Sequence, residues 1–251
     1  MKALVTGASS GIGRDIAKVL ADKGYDLILV ARRTELLEEL KLNLSTNVEI
    51  ITADLSDEKA CLELYEKTKT DNVDVLVNNA GFGVFGEFVC SDLDRELEMI
   101  NVNIKAVHIL TKLYLKDFVK KDRGHILNVA SIAAFYAGPL LSGYYASKNY
   151  VLRLTQAISE ELKIKNSNVK ISVLCPGPVD TEFNKVANVK FALKGLNSMD
   201  VARYAVKQML KGKLVIIPGA IVRFAKFFSS FVSDNVKLKF LYSVQKQKVD
   251  K

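Results

Sequence analysis

Short runs of apolar and β-branched residues alternate along the chain with longer amphipathic stretches. The short runs predict strands, and apolar residues spaced three or four apart in the longer stretches predict helices. The run from Leu27 to Val30 is apolar on both faces, so it needs cover above and below, which a parallel sheet flanked by helices provides. The predicted strands are Ala3–Thr6, Asp26–Val30, Val48–Thr52, Val73–Asn78, His125–Ala130, Val169–Leu174 and Leu214–Ile217.

The alternation of strands and helices predicts an α/β fold with a doubly wound sheet of about seven mainly parallel strands and helices on both faces. No linker or internal repeat divides residues 1–251, so we expect a single domain. The predicted helices are Ile12–Lys23, Glu35–Leu44, Glu58–Lys69, Leu93–Lys121, Tyr144–Lys165 and Asp200–Leu210.

The end of the chain, residues 219–251, combines aromatic and basic residues. Ile221, Phe224, Phe228 and Phe231 fall three or four residues apart, which predicts an amphipathic helix packed on the domain or extending from it. The net charge of +8 lies towards this end, because residues 203–251 hold 11 Lys or Arg and two acids. Three roles stay open for this tail: a lid over a substrate, a contact between subunits, and a peripheral contact with an anionic membrane.

Several classes of protein are excluded by what the chain lacks. No apolar run approaches the ~20 residues of a membrane span, and no secretion signal precedes Gly7, so we expect a cytoplasmic protein. Three widely spaced cysteines and two histidines form neither a disulfide framework nor a metal-ligand pattern, so we expect no metal. No recognition motif accompanies the basic charge, so we expect no nucleic-acid partner.

A glycine-rich segment, Thr6 to Gly13, follows the first predicted strand and precedes the first predicted helix. Its Gly-x-x-x-Gly-x-Gly spacing lets the backbone approach a pyrophosphate, whose charge meets the free N–H groups and positive end of that helix. This context favours a Rossmann-type dinucleotide site over a turn that only connects strand to helix. The expected contacts are Gly7, Ser9, Ser10, Gly11, Ile12 and Gly13.

Two arginines, Arg32 and Arg33, follow the second predicted strand, where NAD-binding domains carry an acid that binds the ribose hydroxyls. Arg32 lies 19 residues beyond Gly13. Guanidinium groups attract a 2′-phosphate through charge-assisted hydrogen bonds, which predicts NADP(H) and makes Arg32 the stronger candidate. The alternative is a pair of solvated arginines at the start of a helix.

A Tyr-x-x-x-Lys pair, Tyr144 and Lys148, lies one turn apart on a predicted helix, and Ser131 precedes Tyr144 by 13 residues. With these motifs the sequence resembles the short-chain dehydrogenase/reductase family, in its NADP-preferring branch of similar length. The resemblance covers nearly the whole chain. It rests on Thr6–Gly13, Asp54, Asn78–Gly81, Asn103, Ser131, Tyr144, Lys148 and Pro176–Thr181.

The resemblance implies that one domain, residues 1–251, binds NADP(H) and transfers hydride between its nicotinamide and a carbonyl or secondary alcohol. Tyr144 would be the general acid or base. Lys148 would lower the pKa of Tyr144 and hold the nicotinamide ribose. Ser131 would donate a hydrogen bond to the developing oxyanion, and Asn103 would position a water in a proton relay. The resemblance adds Asp54, Leu55, Asn79, Ala80, Gly81, Tyr144, Lys148, Pro176, Gly177, Val179 and Thr181 as cofactor contacts.

The segments that would wall the substrate pocket are rich in aromatic and aliphatic residues, which favours an apolar substrate such as a 3-oxoacyl, steroid-like or other hydrophobic ketone. An alternative is a non-catalytic protein that senses NADP(H), but a sensor has no need of the Tyr144–Lys148 pair. The resemblance also implies a homo-oligomer. The candidate wall residues are Phe82, Phe85, Phe88, Phe135, Tyr136, Leu140, Leu141, Phe183 and Phe191.

Overall fold

All strands of the central sheet run parallel to one another. The computed structural model describes residues 1–183, 195–229 and 231–246. Its strands are β1 Lys2–Thr6, β2 Asp26–Ala31, β3 Val48–Thr52, β4 Val73–Asn78, β5 His125–Val129, β6 Lys170–Leu174 and β7 Val215–Ile216. They lie in the order β3-β2-β1-β4-β5-β6-β7, which confirms the predicted doubly wound sheet.

Helices cover both faces of this sheet. In the described part of the chain they are α1 Gly11–Ala21, α2 Thr34–Leu42, α3 Glu58–Thr68, α4 Leu93–Ile100, α5 Val107–Lys121, α6 Ser142–Ile164, α7 Ser198–Leu210, α8 Ala220–Ser229 and α9 Asp234–Lys246. Because side chains of a strand alternate between faces, Leu27 and Leu29 pack in one core with α1, α2 and α7, and Ile28 and Val30 pack in the other with α3 and α5. Each such burial stabilises the fold by about 1.5–3 kcal/mol.

The predicted helix Leu93–Lys121 is interrupted. A π-helical turn, Asn101–Ala106, joins α4 to α5. Within this turn the fully buried side chain of Asn103 accepts a hydrogen bond from the Phe82 backbone N–H and donates one to its carbonyl oxygen. Apolar periodicity does not reveal such a local widening, because it depends on this contact with a distant segment.

The tail forms two helices, where the sequence predicted one. α8 contains Ile221, Phe224 and Phe228 of the predicted amphipathic segment, Phe231 lies in a turn beyond it, and α9 follows. Of the helices in the described ranges, none is long and apolar enough to cross a bilayer.

The strand order reverses between β1 and β4, since the chain first builds the sheet outward to β3 and then continues from β4 on the other side. At such a point the connections leave in opposite directions and open a crevice at the carboxyl ends of the strands. The segments after Thr6 and after Asn78 therefore border the same crevice.

Candidate active site

The crevice is a cavity of about 570 Å³, within the range of cofactor-sized sites. Most of the predicted site residues line it, from all the expected segments. They are Gly7, Ser9, Ser10, Gly11, Ile12, Arg32, Arg33, Asp54, Leu55, Asn79, Ala80, Gly81, Ser131, Tyr144, Lys148, Pro176, Gly177, Val179 and Thr181. The predicted residues Gly13 and Asn103 do not line it.

The glycine-rich loop is held against the segment that follows β4. Gly7 has a φ of +63°, and a Cβ there would lie 2.8 Å from the Cα of Ala80. Asn79 Nδ2 donates to the carbonyl oxygens of Thr6 at 3.0 Å and Gly7 at 3.1 Å. The loop backbone is therefore fixed by its neighbour, as a preorganised anion site requires.

Gly13 has a packing role, and its predicted contact with the cofactor stays a prediction. A Cβ at this position would lie 2.2 Å from Asn79 Nδ2 and 2.4 Å from the carbonyl oxygen of Gly7. The absence of a side chain thus lets α1 pack against the loop and the β4 end. The first turn of α1 carries no acid, so no carboxylate within that turn competes for its free N–H groups.

The two arginines have different partners. Arg33 Nη2 donates to Ser9 Oγ at 3.2 Å, Ser10 Oγ at 3.1 Å and Glu182 Oε2 at 2.8 Å. One guanidinium and two loop hydroxyls thus meet at the end of β2, which is the kind of donor set that binds a phosphate.

Arg32 instead faces carboxylates. Its Nη1 lies 3.0 Å from Glu98 Oε1 and 3.7 Å from Asp54 Oδ2. Burial raises the pKa of Asp54, but hydrogen bonds from Ser56 and the charge of Arg32 outweigh it and hold that pKa below its usual value. Both arginines therefore pair with a carboxylate, and Arg33 is the one that also contacts the hydroxyls of the glycine-rich loop. The prediction that Arg32 is the phosphate ligand stays a prediction.

Tyr144 and Lys148 lie on one face of α6, as predicted, and both are buried and line the cleft. The Lys148 Nζ is 5.8 Å from the centroid of the Tyr144 ring and donates to the carbonyl oxygen of Val129 at 3.0 Å. Ser131, directly beyond β5, accepts a hydrogen bond from the Ala133 N–H at 3.1 Å, which leaves its own hydroxyl proton for another acceptor.

The pKa of Tyr144 is higher than the sequence predicted. Burial raises the pKa of Tyr144 to about 12, although a hydrogen bond with the Ser131 side chain acts in the opposite direction. Burial also lowers the pKa of Lys148 to about 8. Lys148 is not among the groups that lower the pKa of Tyr144, and desolvation, which penalises the charged form of each group, is the largest cause of both shifts.

Asn103 lies behind the cleft wall. Besides Phe82, its Nδ2 donates to Ser147 Oγ at 3.0 Å, and that hydroxyl donates to the carbonyl oxygen of Tyr144 at 2.7 Å. A Cβ at Gly81 would lie 2.7 Å from Asn103 Oδ1 and 3.2 Å from Lys148 Nζ. The amide therefore ties the segment after β4 to α6, and it does not present its side chain to the cleft.

The segment after β6 closes over the glycine-rich loop. A Cβ at Gly11, whose φ is +55°, would lie 3.0 Å from Thr181 Cγ2. Phe183, two residues on, packs against the Tyr144 ring with centroids 5.3 Å apart. The same short segment thus contacts both the anion-binding loop and the Tyr144 ring.

Only part of the predicted substrate wall faces the cleft. Phe82, Leu141 and Phe183 line it. Phe88 is 70% exposed, and Phe191 lies outside the described residues. The remaining candidates, Phe85, Phe135, Tyr136 and Leu140, do not line the cleft.

α9 supplies wall residues that the sequence did not reveal. Leu241, Val244 and Gln245 line the cleft, and buried Gln245 donates from Nε2 to Tyr145 Oη at 3.0 Å. These three residues share one face of α9. Because α9 also carries exposed apolar residues on its other faces, hydrophobic periodicity alone does not single out this face.

Comparisons with known proteins match this architecture. An uncharacterized oxidoreductase of Staphylococcus saprophyticus is 34% identical over 210 residues, covering 81% of this chain and 88% of that protein. Human 17-beta-hydroxysteroid dehydrogenase type 3 is 33% identical over 198 residues, covering 76% of this chain and 63% of that protein.

A solved structure also resembles the chain closely. A short-chain dehydrogenase from Sphingobium yanoikuyae in complex with NADPH has a TM-score of 0.82 and 28% identity, with 91% of this chain and 92% of that one covered. The family model for short chain dehydrogenase matches residues 1–190. The chain belongs to the short-chain dehydrogenase/reductase family of oxidoreductases.

Proposed function

We propose that this protein is an NADP(H)-dependent oxidoreductase that transfers hydride between the nicotinamide and a carbonyl or secondary-alcohol group of an apolar substrate. The observation that carries the proposal is that Tyr144, Lys148 and Ser131 line the same cleft as a glycine-rich anion-binding loop. An acid, an ammonium and a hydroxyl donor beside a dinucleotide-sized site are the groups that carbonyl reduction needs.

The cleft residues fit a dinucleotide along its length. The loop from Gly7 to Ile12 and the start of α1 would hold the pyrophosphate, because backbone N–H groups and the positive helix end meet there. Asp54 and Leu55 would contact the adenine. Thr181 and its neighbours after β6 would hold the nicotinamide end, since that segment also carries Phe183 to the Tyr144 ring.

A 2′-phosphate is favoured over a bare hydroxyl by the donor set at the end of β2. Arg33 lies within hydrogen-bond distance of the hydroxyls of Ser9 and Ser10, and a 2′-phosphate would replace its present carboxylate partner, Glu182. A phosphate placed among them would accept several charge-assisted hydrogen bonds. The Sphingobium relative was solved with NADPH, which supports the same choice.

In reduction, the Tyr144 hydroxyl would donate its proton to the carbonyl oxygen, while the Ser131 hydroxyl donates a hydrogen bond to that oxygen. The bound cofactor supplies the hydride. Because burial raises the pKa of Tyr144 to about 12, this group is protonated at neutral pH, as an acid must be. Lys148, whose pKa burial lowers to about 8, is still mainly ammonium and offsets the charge left on Tyr144.

Asn103 is a positioning residue in this scheme. It orients the Phe82 backbone and, through Ser147, the turn of α6 that carries Tyr144. Direct contact with the substrate is not part of its role, because its side chain is fully buried.

The substrate is proposed to be a hydrophobic ketone, of the 3-oxoacyl or steroid-like kind. Phe82, Leu141 and Phe183 from the body of the protein, and Leu241 and Val244 from α9, give the substrate end of the cleft an apolar wall. A sugar would leave its hydroxyls unpaired against such a wall. The human relative is a hydroxysteroid dehydrogenase by name, which is consistent with this class.

The test is oxidation of NADPH by the purified protein against a panel of acyl, steroid-like and aromatic ketones. Tyr144→Phe should lower kcat/KM by about 100-fold to 10,000-fold because it removes the proton donor. Tyr150→Phe is the matched control, since Tyr150 is on the same helix and bonds His108 instead. NADPH binding should be retained in both variants.

Equal rates for Tyr144→Phe and the unaltered protein would remove Tyr144 from the mechanism. Tight NADPH binding with no turnover of any ketone would instead favour the sensor alternative.

A further inference from the structure

α8 turns its apolar side away from the protein. Its inner side meets the body through Val222, near Gly177, and through a 2.8 Å hydrogen bond between the hydroxyls of Ser229 and Tyr136. Arg223 Nη1 also donates to the carbonyl oxygen of Ile217 at 3.1 Å. This orientation is the reverse of the usual one, in which a surface helix buries its apolar stripe.

The outer side carries a cluster that we call the aromatic ridge. Three of its members are in contact, because the Phe227 ring lies 5.6 Å from Phe228 and 5.5 Å from Phe231, centroid to centroid. Single exposed apolar residues are common, whereas a contiguous cluster of this kind marks a contact surface. The ridge consists of Ile221, 85% exposed, Phe224, 64%, Phe227, 58%, Phe228, 63%, and Phe231, 77%.

The tail that carries the ridge has a net positive charge. Residues 220–246 contain five Lys or Arg and a single acid, Asp234, which pairs with Lys237 at 2.8 Å. A second copy of the same tail would bring like charges together, which disfavours self-association through the ridge. An anionic surface would meet the same charges favourably.

The length of α8 determines how the helix would bind a membrane. It has 10 residues, half of what a spanning helix needs, so it suits the plane of the interface. Phenylalanine rings insert at the boundary between headgroups and acyl chains. Arg223 and Lys226 of α8 face the body, where Lys226 Nζ lies 5.3 Å from the centroid of the Phe135 ring. The attraction to lipid phosphates would therefore come from the exposed lysines of α9, such as Lys239.

We propose that the aromatic ridge inserts into the headgroup region of an anionic lipid bilayer and holds the protein at that surface. α9, which follows in the chain, lines the cleft with Leu241 and Val244. The ridge therefore adjoins, in sequence, the helix that closes the substrate end, and the protein would sit on the surface in which apolar ketones dissolve.

The first test is flotation of the full-length protein with vesicles of phosphatidylcholine and phosphatidylglycerol in a roughly two-to-one ratio, compared with phosphatidylcholine alone. The unaltered protein should float with the anionic vesicles, and less so at high salt. The triple variant Phe224→Ser, Phe227→Ser, Phe228→Ser should bind them at least about tenfold more weakly. The matched control is Leu42→Ser with Ile164→Ser, which removes apolar side chains 86% and 74% exposed elsewhere.

The second test uses fluorescence, because the chain has no tryptophan. Phe224→Trp should show a blue shift of its emission when the anionic vesicles are added. Leu42→Trp, at an even more exposed site off the ridge, should show none. This variant keeps an aromatic ring on the ridge, so it answers the question even if the triple variant folds poorly.

Three results would overturn the proposal: no flotation of the unaltered protein, flotation of the triple variant equal to that of the unaltered protein, or no shift for Phe224→Trp. A dimer in light scattering that the triple variant converts to a monomer, with no vesicle binding, would make the ridge a subunit interface instead. None of these readouts depends on the proposed enzymatic activity.

Discussion

The body of the protein, residues 1–219, and the tail, residues 220–246, use aromatic residues in opposite ways. Phe118 in α5 is 1% exposed and packs beside Tyr114 in the core below the sheet. Phe224 in α8 is 64% exposed and lies on the outer side of its helix. The body thus uses apolar area to fold, and the tail keeps apolar area available for a partner. A phenylalanine such as Phe118 therefore stabilises the fold, whereas an exposed one such as Phe224 contributes little to folding.

The largest expected effect is on stability, and it tests this difference directly. Phe118→Ala should lower the free energy of unfolding by about 3–5 kcal/mol, because it leaves a cavity in a packed core. Phe224→Ala should change it by less than about 0.5 kcal/mol. Urea unfolding of both variants measures the two values. Similar losses would mean that the ridge is buried in an assembly and that the contrast is false.

The second-largest expected effect is on the affinity for NADPH. Arg33→Ala should weaken NADPH binding by about tenfold to a hundredfold, because it removes charge-assisted hydrogen bonds to the 2′-phosphate. NADH binding should change little. Arg32→Ala is the matched variant and should have the smaller effect, since Arg32 faces Glu98 and Asp54. Fluorescence titration gives the four dissociation constants; equal losses for NADPH and NADH would contradict the phosphate site.

The pH dependence of ketone reduction should reflect Lys148. Its pKa is lowered by burial to about 8, so the ammonium is present below that pH and lost above it. Tyr144 stays protonated throughout, since burial raises its pKa to about 12. We therefore expect kcat/KM to fall above pH ~8 by up to about tenfold for each further pH unit.

Lys148→Arg is the matched variant, because a guanidinium keeps its charge at high pH. Its profile, at whatever lower rate it runs, should lack the decline near pH 8. The same decline in both proteins would assign it to another group.

The smallest expected effect is at the contact between the two regions. Leu241→Ala with Val244→Ala should raise KM for apolar ketones by about threefold to tenfold, because it removes apolar area from the cleft wall. Val236→Ala with Phe240→Ala, at exposed positions of the same helix, should leave KM unchanged. Equal KM values for both pairs would mean that α9 does not wall the substrate.

Most of the fold was predictable because its signals are local. The apolar run of β2, the turn glycines before α1 and the one-turn spacing of Tyr144 and Lys148 each lie within a few residues. Periodicity and turn chemistry act over that range, so strands and helices of the body were found close to their true ends. The glycine-rich loop and the arginines that border the cleft followed from local signals, and the other bordering residues followed from the resemblance to the family. They meet in one cleft because loops after parallel strands lie at one edge of the sheet.

The predictions and the structure differ where the contacts of a residue depend on a partner far away in the sequence. Gly13 packs on Asn79, and Asn103 binds Phe82, so neither lines the cleft. Arg33, rather than Arg32, meets the loop hydroxyls, because Arg32 is drawn to Glu98 of α4. The spacing of residues along the chain does not predict which of two adjacent arginines contacts which side chain in the folded protein.

The sequence by itself determined the doubly wound fold and the position of the glycine-rich loop, because these follow from short-range pattern. It also gave the Tyr144–Lys148 spacing, on which the resemblance to the family and the proposed roles of both side chains rest. Tertiary structure alone decided the acidity of Tyr144 and Lys148, the use of α9 as a wall of the cleft and the outward direction of the aromatic ridge. These properties depend on burial and on which surfaces meet, and both are set by packing between segments far apart in the chain.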